Sequence, residues 1–284
     1  MDIDDFEGYN PEANTNTAVE KQDWNLVISE PLTGLENMNI DNEMYFDFEN
    51  NKIDSTLRIY GWNKPCISLG YTQDKEKELD IDLCEKFGWD VVKRITGGGI
   101  VFHNTNEITY SLVTSTNNVI LPKGLIESCS FISKAIILGL ETIGIKAKLS
   151  DTYNSILKSK WSGRNYQLPV SLLQSIQMKE NLKKGAFSRV CFSEPVKYEI
   201  MANGKKLVGN AQKRSKKVLF QHGSIPLDKT DPKTYQLLKN EDDRKNIQKN
   251  STSIREILKK NIQRSKVIEA LIKGFEKGFG IKFQ

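Results

Sequence analysis

The sequence predicts an α+β domain with a mixed, largely antiparallel sheet flanked by helices. Three observations carry this expectation. Strand-like segments dominate residues 55–115 and 196–227, a long amphipathic stretch at 125–143 separates them, and the pattern from Pro232 onward is helical. At 284 residues the chain is long enough for one large domain or a main domain with a small appendage. Hydrophobic residues make up 38% and charged residues 27%, and no apolar run approaches the roughly 20 residues that a membrane span requires. The N-terminus lacks a basic-then-apolar signal pattern, so a cytoplasmic protein with no membrane contact is expected.

Taken in order, residues 55–62 alternate Leu57, Ile59 and Gly61 with Arg58, Tyr60 and Trp62, as a strand does, and Pro65 opens a second short one, PCISLG. Residues 80–87 predict a short helix stopped by Gly88. WDVVKRI reads as a buried strand, and IVFH and EITYSLV continue in β character. Leu125, Cys129, Ile132 and Ile136 fall at helical spacing in a helix that ends at Gly144. Residues 151–189 show no regular period and are read as an irregular excursion. In VKYEIMANGKKLVGNAQ, the Asn203-Gly204 pair between two β-like runs is the strongest hairpin signal in the chain, because both central positions of a type I′ turn need positive φ. VLFQHGSIPL is a further strand. In the helical tail, Ser253 and Glu256 fit a capping box, and Val267, Leu271 and Phe275 mark an amphipathic helix broken near Gly278 and Gly280.

The net charge of +5 is unevenly spread. Residues 1–21 hold six acidic residues and one lysine, a solvated leader by composition. Lys205, Lys206, Lys213, Arg214, Lys216 and Lys217 crowd a short region, which suits an acidic partner or is simply a solvated strand face. Cys66, Cys84, Cys129 and Cys191 are spaced too widely and irregularly for a disulfide scaffold or paired zinc ligands, and with two histidines in the chain a structural metal is not expected.

The stretch RITGGGIVFHN places Gly97, Gly98 and Gly99 between β-formers and His103. Three adjacent glycines imply a close approach to the backbone. They match neither G-x-x-x-x-G-K-[ST] nor G-x-G-x-x-G, and the residues after them read as strand, so no helix N-terminus is offered to a phosphate.

KRITGGGIVFHNTNEITYSLV, together with PCISLGYTQ, NMNIDNEM and KKLVGNAQKRSKKVLFQHGSIPLD, resembles the biotin/lipoate protein ligase family in motif and order, over about residues 37–228. The resemblance implies a catalytic domain like those of class II aminoacyl-tRNA synthetases and biotin protein ligases. The glycine segment and the K-x-x-G segment would line a tunnel for a medium-length acyl chain. The implied division is a flexible acidic leader at 1–22, an acyltransferase domain at 23–230 and a helical C-terminal extension at 231–284.

Lipoate ligases of this family carry G-R-N-D closely followed by the K-x-x-G lysine. Here Tyr166 follows Gly163-Arg164-Asn165, with Lys206 far downstream, a match read as accidental. Instead, Cys191-Phe-Ser-Glu-Pro-Val-Lys-Tyr-Glu199 is similar to the C-F-x-x-P-x-x-x-E of a cysteine-dependent octanoyltransferase branch. That likeness implies transfer of an octanoyl group from acyl carrier protein to the lysine of a lipoyl domain or of the glycine-cleavage carrier. The route would be a Cys191 thioester, with neither ATP nor a metal as cofactor and no nucleic acid partner. An amidotransferase moving acyl groups between lipoylated carriers and an ATP-dependent lipoate ligase are the alternatives.

The chemistry suits this assignment. A thiolate is both a good nucleophile and a good leaving group, and at neutral pH a cysteine needs positive charge nearby to be largely ionised. Lys206, two residues beyond the Asn203-Gly204 turn, is the candidate, with Gly209 three residues later completing K-x-x-G. By default it would be a solvated strand lysine like Lys205. Arg94 and the small Gly209 and Ala211 are expected at the substrate. His103 either places substrate or caps the turn, and His222 either holds structure or touches substrate. Cys66, Cys84 and Cys129 are read as small buried hydrophobes.

Overall fold

A computed structural model describes residues 24–150, 191 and 199–284. The leader at 1–22, the 151–189 excursion with its Gly163 to Tyr166, and the motif positions between Cys191 and Glu199 lie outside the described residues. The strands form two sheets where one was expected. The larger uses β1 (Asn25–Ile28), β2 (Thr56–Tyr60), β6 (Glu107–Ser115), β7 (Lys148–Leu149), β8 (Ile200–Ala202), β9 (Lys205–Arg214) and β10 (Val218–Pro226), in the order β1-β2-β6-β10-β9-β8-β7. Its β1–β2 pair is parallel and the rest are antiparallel. The smaller sheet, in the order β4-β3-β5, joins β3 (Cys66–Leu69) to β4 (Asp90–Lys93) in parallel and to β5 (Val101–His103) antiparallel. Being an edge strand, β4 is only half-buried, so WDVVKRI is not the buried strand its apolar run suggested.

Helix α1 (Gly34–Glu49) follows β1 and was not legible from periodicity. Its N-cap Thr33 and Glu36 form a reciprocal capping box. The face it buries, however, carries Asn37 and Asp41 beside Met38, Met44 and Tyr45. Polar residues on the inward face erase the hydrophobic stripe on which such a reading depends. Short α2 (Lys75–Glu78) and α3 (Ile81–Lys86) follow, α3 capped by Asp80 and ended at Gly88, with φ 70°.

Alternation along β6 and β10 divides the molecule. Ile108, Tyr110 and Leu112 of β6, with Leu219 and Ile225 of β10, face a core closed by α4 (Leu125–Thr142) and α7 (Arg264–Phe279). Thr109, His222 and Ser224 face the other way, toward α1 and the small sheet. Beyond β10 come a 3-10 helix (Pro232–Leu237), α5 (Glu241–Asn250) and α6 (Ile254–Leu258). At α6 the Ser253 hydroxyl accepts from the Glu256 N–H, but the Glu256 carboxylate turns to the Thr252 hydroxyl, so half of the expected capping box forms. No described helix is long and apolar enough to cross a membrane.

Gly278 is not a break. α7 runs through it to Phe279, and Gly280, with φ 67°, caps the helix. The glycines instead let α7 lie against α4: a Cβ at Gly274 would sit 2.4 Å from the Ala135 carbonyl oxygen and one at Gly139 would sit 2.5 Å from that of Ala270. Gly274→Val is therefore expected to lower stability by about 1–3 kcal/mol through overpacking, seen as an earlier urea midpoint. An unchanged midpoint would show that the helices part without cost.

Candidate active site

Asn203 (φ 50°) and Gly204 (φ 76°) take the left-handed turn that the sequence predicted, and the hairpin carries Lys206 toward Cys191. On a regular strand, residues three apart point to opposite faces. Lys206 and Gly209 nevertheless serve the same side, because Met201 pairs with Lys206 and Ile200 with Val208, leaving Leu207 as an extra residue in β9. The bulge re-aims the lysine, a frequent device beside active sites.

Lys206 is fully buried, and its Nζ lies 3.4 Å from Cys191 Sγ. It also donates to the Cys191 carbonyl and to Oε1 of buried Glu199, both in very short contacts. Burial by itself would weaken the lysine as a base. The charges of Cys191 and Glu199 reverse that and hold it above the ordinary lysine range, so it stays an ammonium. Cys191 is half-buried, and its N–H donates to the Ile100 carbonyl at 2.8 Å, which pins the sulfur's backbone to the end of the glycine segment.

The other thiols differ. Burial pushes Cys84 and Cys129 up to about 11 and Cys66 well above its usual value, so all three stay protonated at neutral pH. Cys66 and Cys84 are buried as expected, whereas Cys129 is half-buried.

Cys191 lines a space of about 350 Å³ that opens to solvent, together with Arg94, His103, Gly209, Ala211 and His222. The structure thus gathers these six predicted residues around one space, with Lys206 behind the sulfur. The three glycines are not among its lining residues. The Gly97 and Gly99 carbonyls accept from Arg94 Nη2 at 2.9 and 2.6 Å, Gly98 has φ 91°, and a Cβ on Gly70 would lie 2.1 Å from the Gly98 oxygen. What approaches this backbone is a guanidinium and a neighbouring loop.

Arg94 is buried, with Nε on the Thr96 hydroxyl and Nη1 on the Ser68 carbonyl and hydroxyl. Burial lowers it to about 10, while the charge of Cys191 raises it. Two hydrogen-bonded chains meet on it. Ser68 contacts His103 Nε2 at 2.8 Å, and His103 Nδ1 contacts Glu107 at 2.7 Å. Thr96 contacts His222 Nε2 at 2.7 Å, and His222 Nδ1 contacts Asp41 at 3.1 Å. With each Nδ1–H donated to its carboxylate, each Nε2 accepts from a hydroxyl, and both rings are satisfied while neutral. Asp41 also takes Arg58 at 3.1 Å and Ser111 at 2.6 Å. Periodicity did not reveal Asp41, Ser68 and Thr96. Glu199 was visible as the last letter of the cysteine motif but had no role assigned.

Burial holds His222 below its ordinary 6.5, and the Asp41 contact opposes this only in part. The unfolded chain therefore takes up the proton first as pH falls. Stability is full above pH 6.5 and declines as pH drops toward the folded value. The loss of urea midpoint between about pH 7.5 and about pH 5.5 should be smaller in His222→Gln than in the parent. Identical losses would remove His222 from the cause.

The predicted basic cluster does not form one surface. Lys206 points inward, Lys205 lies 3.7 Å from Glu256, Lys213 sits over the Tyr45 ring, and Arg214 donates to the Lys123 and Gly124 carbonyls.

Residues 33–276 match the family described as lipoyl protein ligase A/B catalytic domain. Octanoyltransferase LipM of Anoxybacillus flavithermus is 32% identical over 272 residues, spanning 94% of this chain and 90% of its own length. Octanoyltransferase LipM of Bacillus subtilis is 30% identical over the same spans. Among solved structures, lipoate-protein ligase A bound with ATP superposes with a TM-score of 0.65 at 21% identity, covering 92% of this chain and 87% of the other. A bipartite lipoate protein ligase of Thermoplasma acidophilum, solved with its E2 lipoyl domain, gives 0.65 at 18% identity over 93% and 86%. These last two likenesses speak to the fold.

Proposed function

Because the chain belongs to the lipoyl protein ligase A/B catalytic domain family, we propose that it is an octanoyltransferase of lipoate biosynthesis that works through an acyl-enzyme on Cys191. The observation carrying this reading is the Cys191 sulfur at the cavity wall, 3.4 Å from a buried ammonium. Octanoyltransferase relatives at about 30% identity over nine-tenths of the chain favour it over an ATP-dependent ligase.

The sulfur attacks the carbonyl of an octanoyl thioester on acyl carrier protein, and the carrier thiol leaves with a proton. The octanoyl group then rests on Cys191 with its chain in the cavity. A lysine amine of a lipoyl domain or of the glycine-cleavage carrier attacks next, the amide forms, the amine gives up a proton and the Cys191 thiolate departs. Lys206 is the charge partner of the sulfur and, at each tetrahedral stage, of the developing oxyanion. Arg94, in the wall of the same space, adds a further positive charge, its donors taken up by carbonyls and hydroxyls. The helical 231–284 segment belongs with the 23–230 domain in function, since α7 seals the core beneath the site.

Incubation with octanoyl acyl carrier protein should add one octanoyl mass to the protein, mapping to Cys191 by digestion and mass spectrometry. An adduct formed only from an octanoylated lipoyl carrier would instead make the protein an amidotransferase. Dependence on ATP with free octanoate would make it a ligase.

A further inference from the structure

The polar side chains around the Cys191 space are nearly all bound to the protein already. Arg94 places its N–H groups on Thr96, Ser68 and the Gly97 and Gly99 carbonyls. His103 and His222 are held at both ring nitrogens. Trp62 donates to the Thr109 hydroxyl, which donates to Glu107, and the Tyr60 hydroxyl donates to Asp41. Asn210 turns its amide to Tyr110 and Ser133, on the α4 side of the sheet. Behind the sulfur, Lys206 spends its ammonium on the Cys191 carbonyl, Glu199 and Sγ.

Ser224 is the exception. It is 4% exposed, yet its hydroxyl makes no hydrogen bond among the described residues, and it lines the same space as Cys191. A buried hydroxyl in that state calls for a ligand or water. Ser224 pairs with Gly209 across β10 and β9, so a residue with no side chain stands beside the hydroxyl. The extra Leu207 puts Lys206 on the same side as Gly209, one regular two-residue step further along β9. The Lys206 ammonium, 3.4 Å from Sγ, and the Ser224 hydroxyl thus stand on neighbouring strands at the wall where the sulfur lies.

An acyl group on Cys191 brings one carbonyl oxygen into this space, and attack at its carbon puts negative charge on that oxygen. Lys206 and Arg94 supply positive charge, but their N–H groups are committed to protein acceptors. A hydroxyl with its hydrogen uncommitted complements them, because no bond has to break before it donates. An incoming amine is a poorer match, since two cations beside the space favour a group turning negative over one turning positive.

We propose that the Ser224 hydroxyl donates a hydrogen bond to the carbonyl oxygen of the acyl group on Cys191 and holds it through both tetrahedral stages, the proton staying on serine. The assignment rests on the acyl-enzyme reading above and adds a catalytic residue to it.

The test uses the full chain with octanoyl acyl carrier protein as donor and a lipoyl domain as acceptor. In Ser224→Ala, single-turnover acylation of Cys191 and release of octanoyl to the acceptor lysine should both slow by about 10- to 100-fold. The half-saturating donor concentration should stay within about threefold, since the bond strengthens as charge develops. The variant removes a hydroxyl with no protein partner among the described residues, so the melting curve should not fall. A direct readout is the carbonyl stretch of the octanoyl-enzyme in difference infrared spectra, with the carbonyl carbon isotopically labelled. Loss of the hydrogen bond should move that band to higher wavenumber in Ser224→Ala.

Rates within about twofold of the parent with an unmoved band would overturn the assignment. So would slowing confined to the acceptor step with the band unmoved, which would give the serine to the incoming amine. Absence of any octanoyl adduct in the parent protein would instead overturn the acyl-enzyme reading, and the proposal with it.

Discussion

Replacing Cys191 with serine is expected to lower octanoyl transfer by roughly 10³-fold or more, whereas Cys129→Ser should leave it within about twofold. The contrast comes from surroundings rather than residue type. Cys191 lies at the cavity with an ammonium 3.4 Å from its sulfur, while burial holds Cys129 at about 11. Serine keeps the size and the contact with Lys206, but a hydroxyl ionises far less readily and leaves an acyl group far less willingly than a thiol. Because Cys191 is only half-buried and its backbone N–H bond to Ile100 survives the change, thermal unfolding should scarcely move. Single-turnover transfer measured beside the melting curve distinguishes chemistry from folding. Near-normal transfer by Cys191→Ser would sink the acyl-enzyme reading.

How far the sequence reveals this site depends on which physical signal each residue leaves. The Asn203-Gly204 turn was legible because positive φ at two positions narrows the choice of residue, and both adopt it. The α4 helix was legible because its apolar stripe meets one continuous core. α1 was not, since Asn37 and Asp41 fill its buried face with partners drawn from β2, β6 and β10. Contacts of that range leave no local period. The glycine triplet announced a close approach to backbone without saying of what, and the answer lies in Arg94 and Gly70 at other points of the chain. K-x-x-G shows the opposite limit. Resemblance pointed to Lys206 and Gly209, yet ideal strand geometry sets them on opposite faces. Only the paired register discloses the extra residue, Leu207, that reconciles them. Division into two sheets was hidden for a related reason: strand character is written in each segment, but the choice of neighbour is made by packing.

Removing the ammonium should be the second large effect, and it acts on fold and chemistry together. Lys206→Met removes the Lys206 ammonium from the Glu199 carboxylate, 6% exposed, and breaking a buried pair on one side costs about 3–5 kcal/mol. The guanidinium-unfolding midpoint should drop accordingly, and acylation of Cys191 should fall by at least about 10²-fold with the loss of charge beside the developing oxyanion. A second variant separates the two. In Lys206→Met/Glu199→Gln no buried charge is stranded, so most of the stability returns, but acylation stays low because the sulfur still lacks its charge partner. The pH dependence has a definite sign: the folded pKa of Lys206 is raised, so the stability it contributes is intact below the ordinary lysine value of 10.5 and is lost only as pH climbs through the folded value. Any decline of activity on the acid side must then originate elsewhere, with His222 the buried group that resists protonation. If the double variant regained transfer along with stability, Lys206 would be a structural counter-ion to Glu199 and the sulfur would owe its reactivity to Arg94 alone.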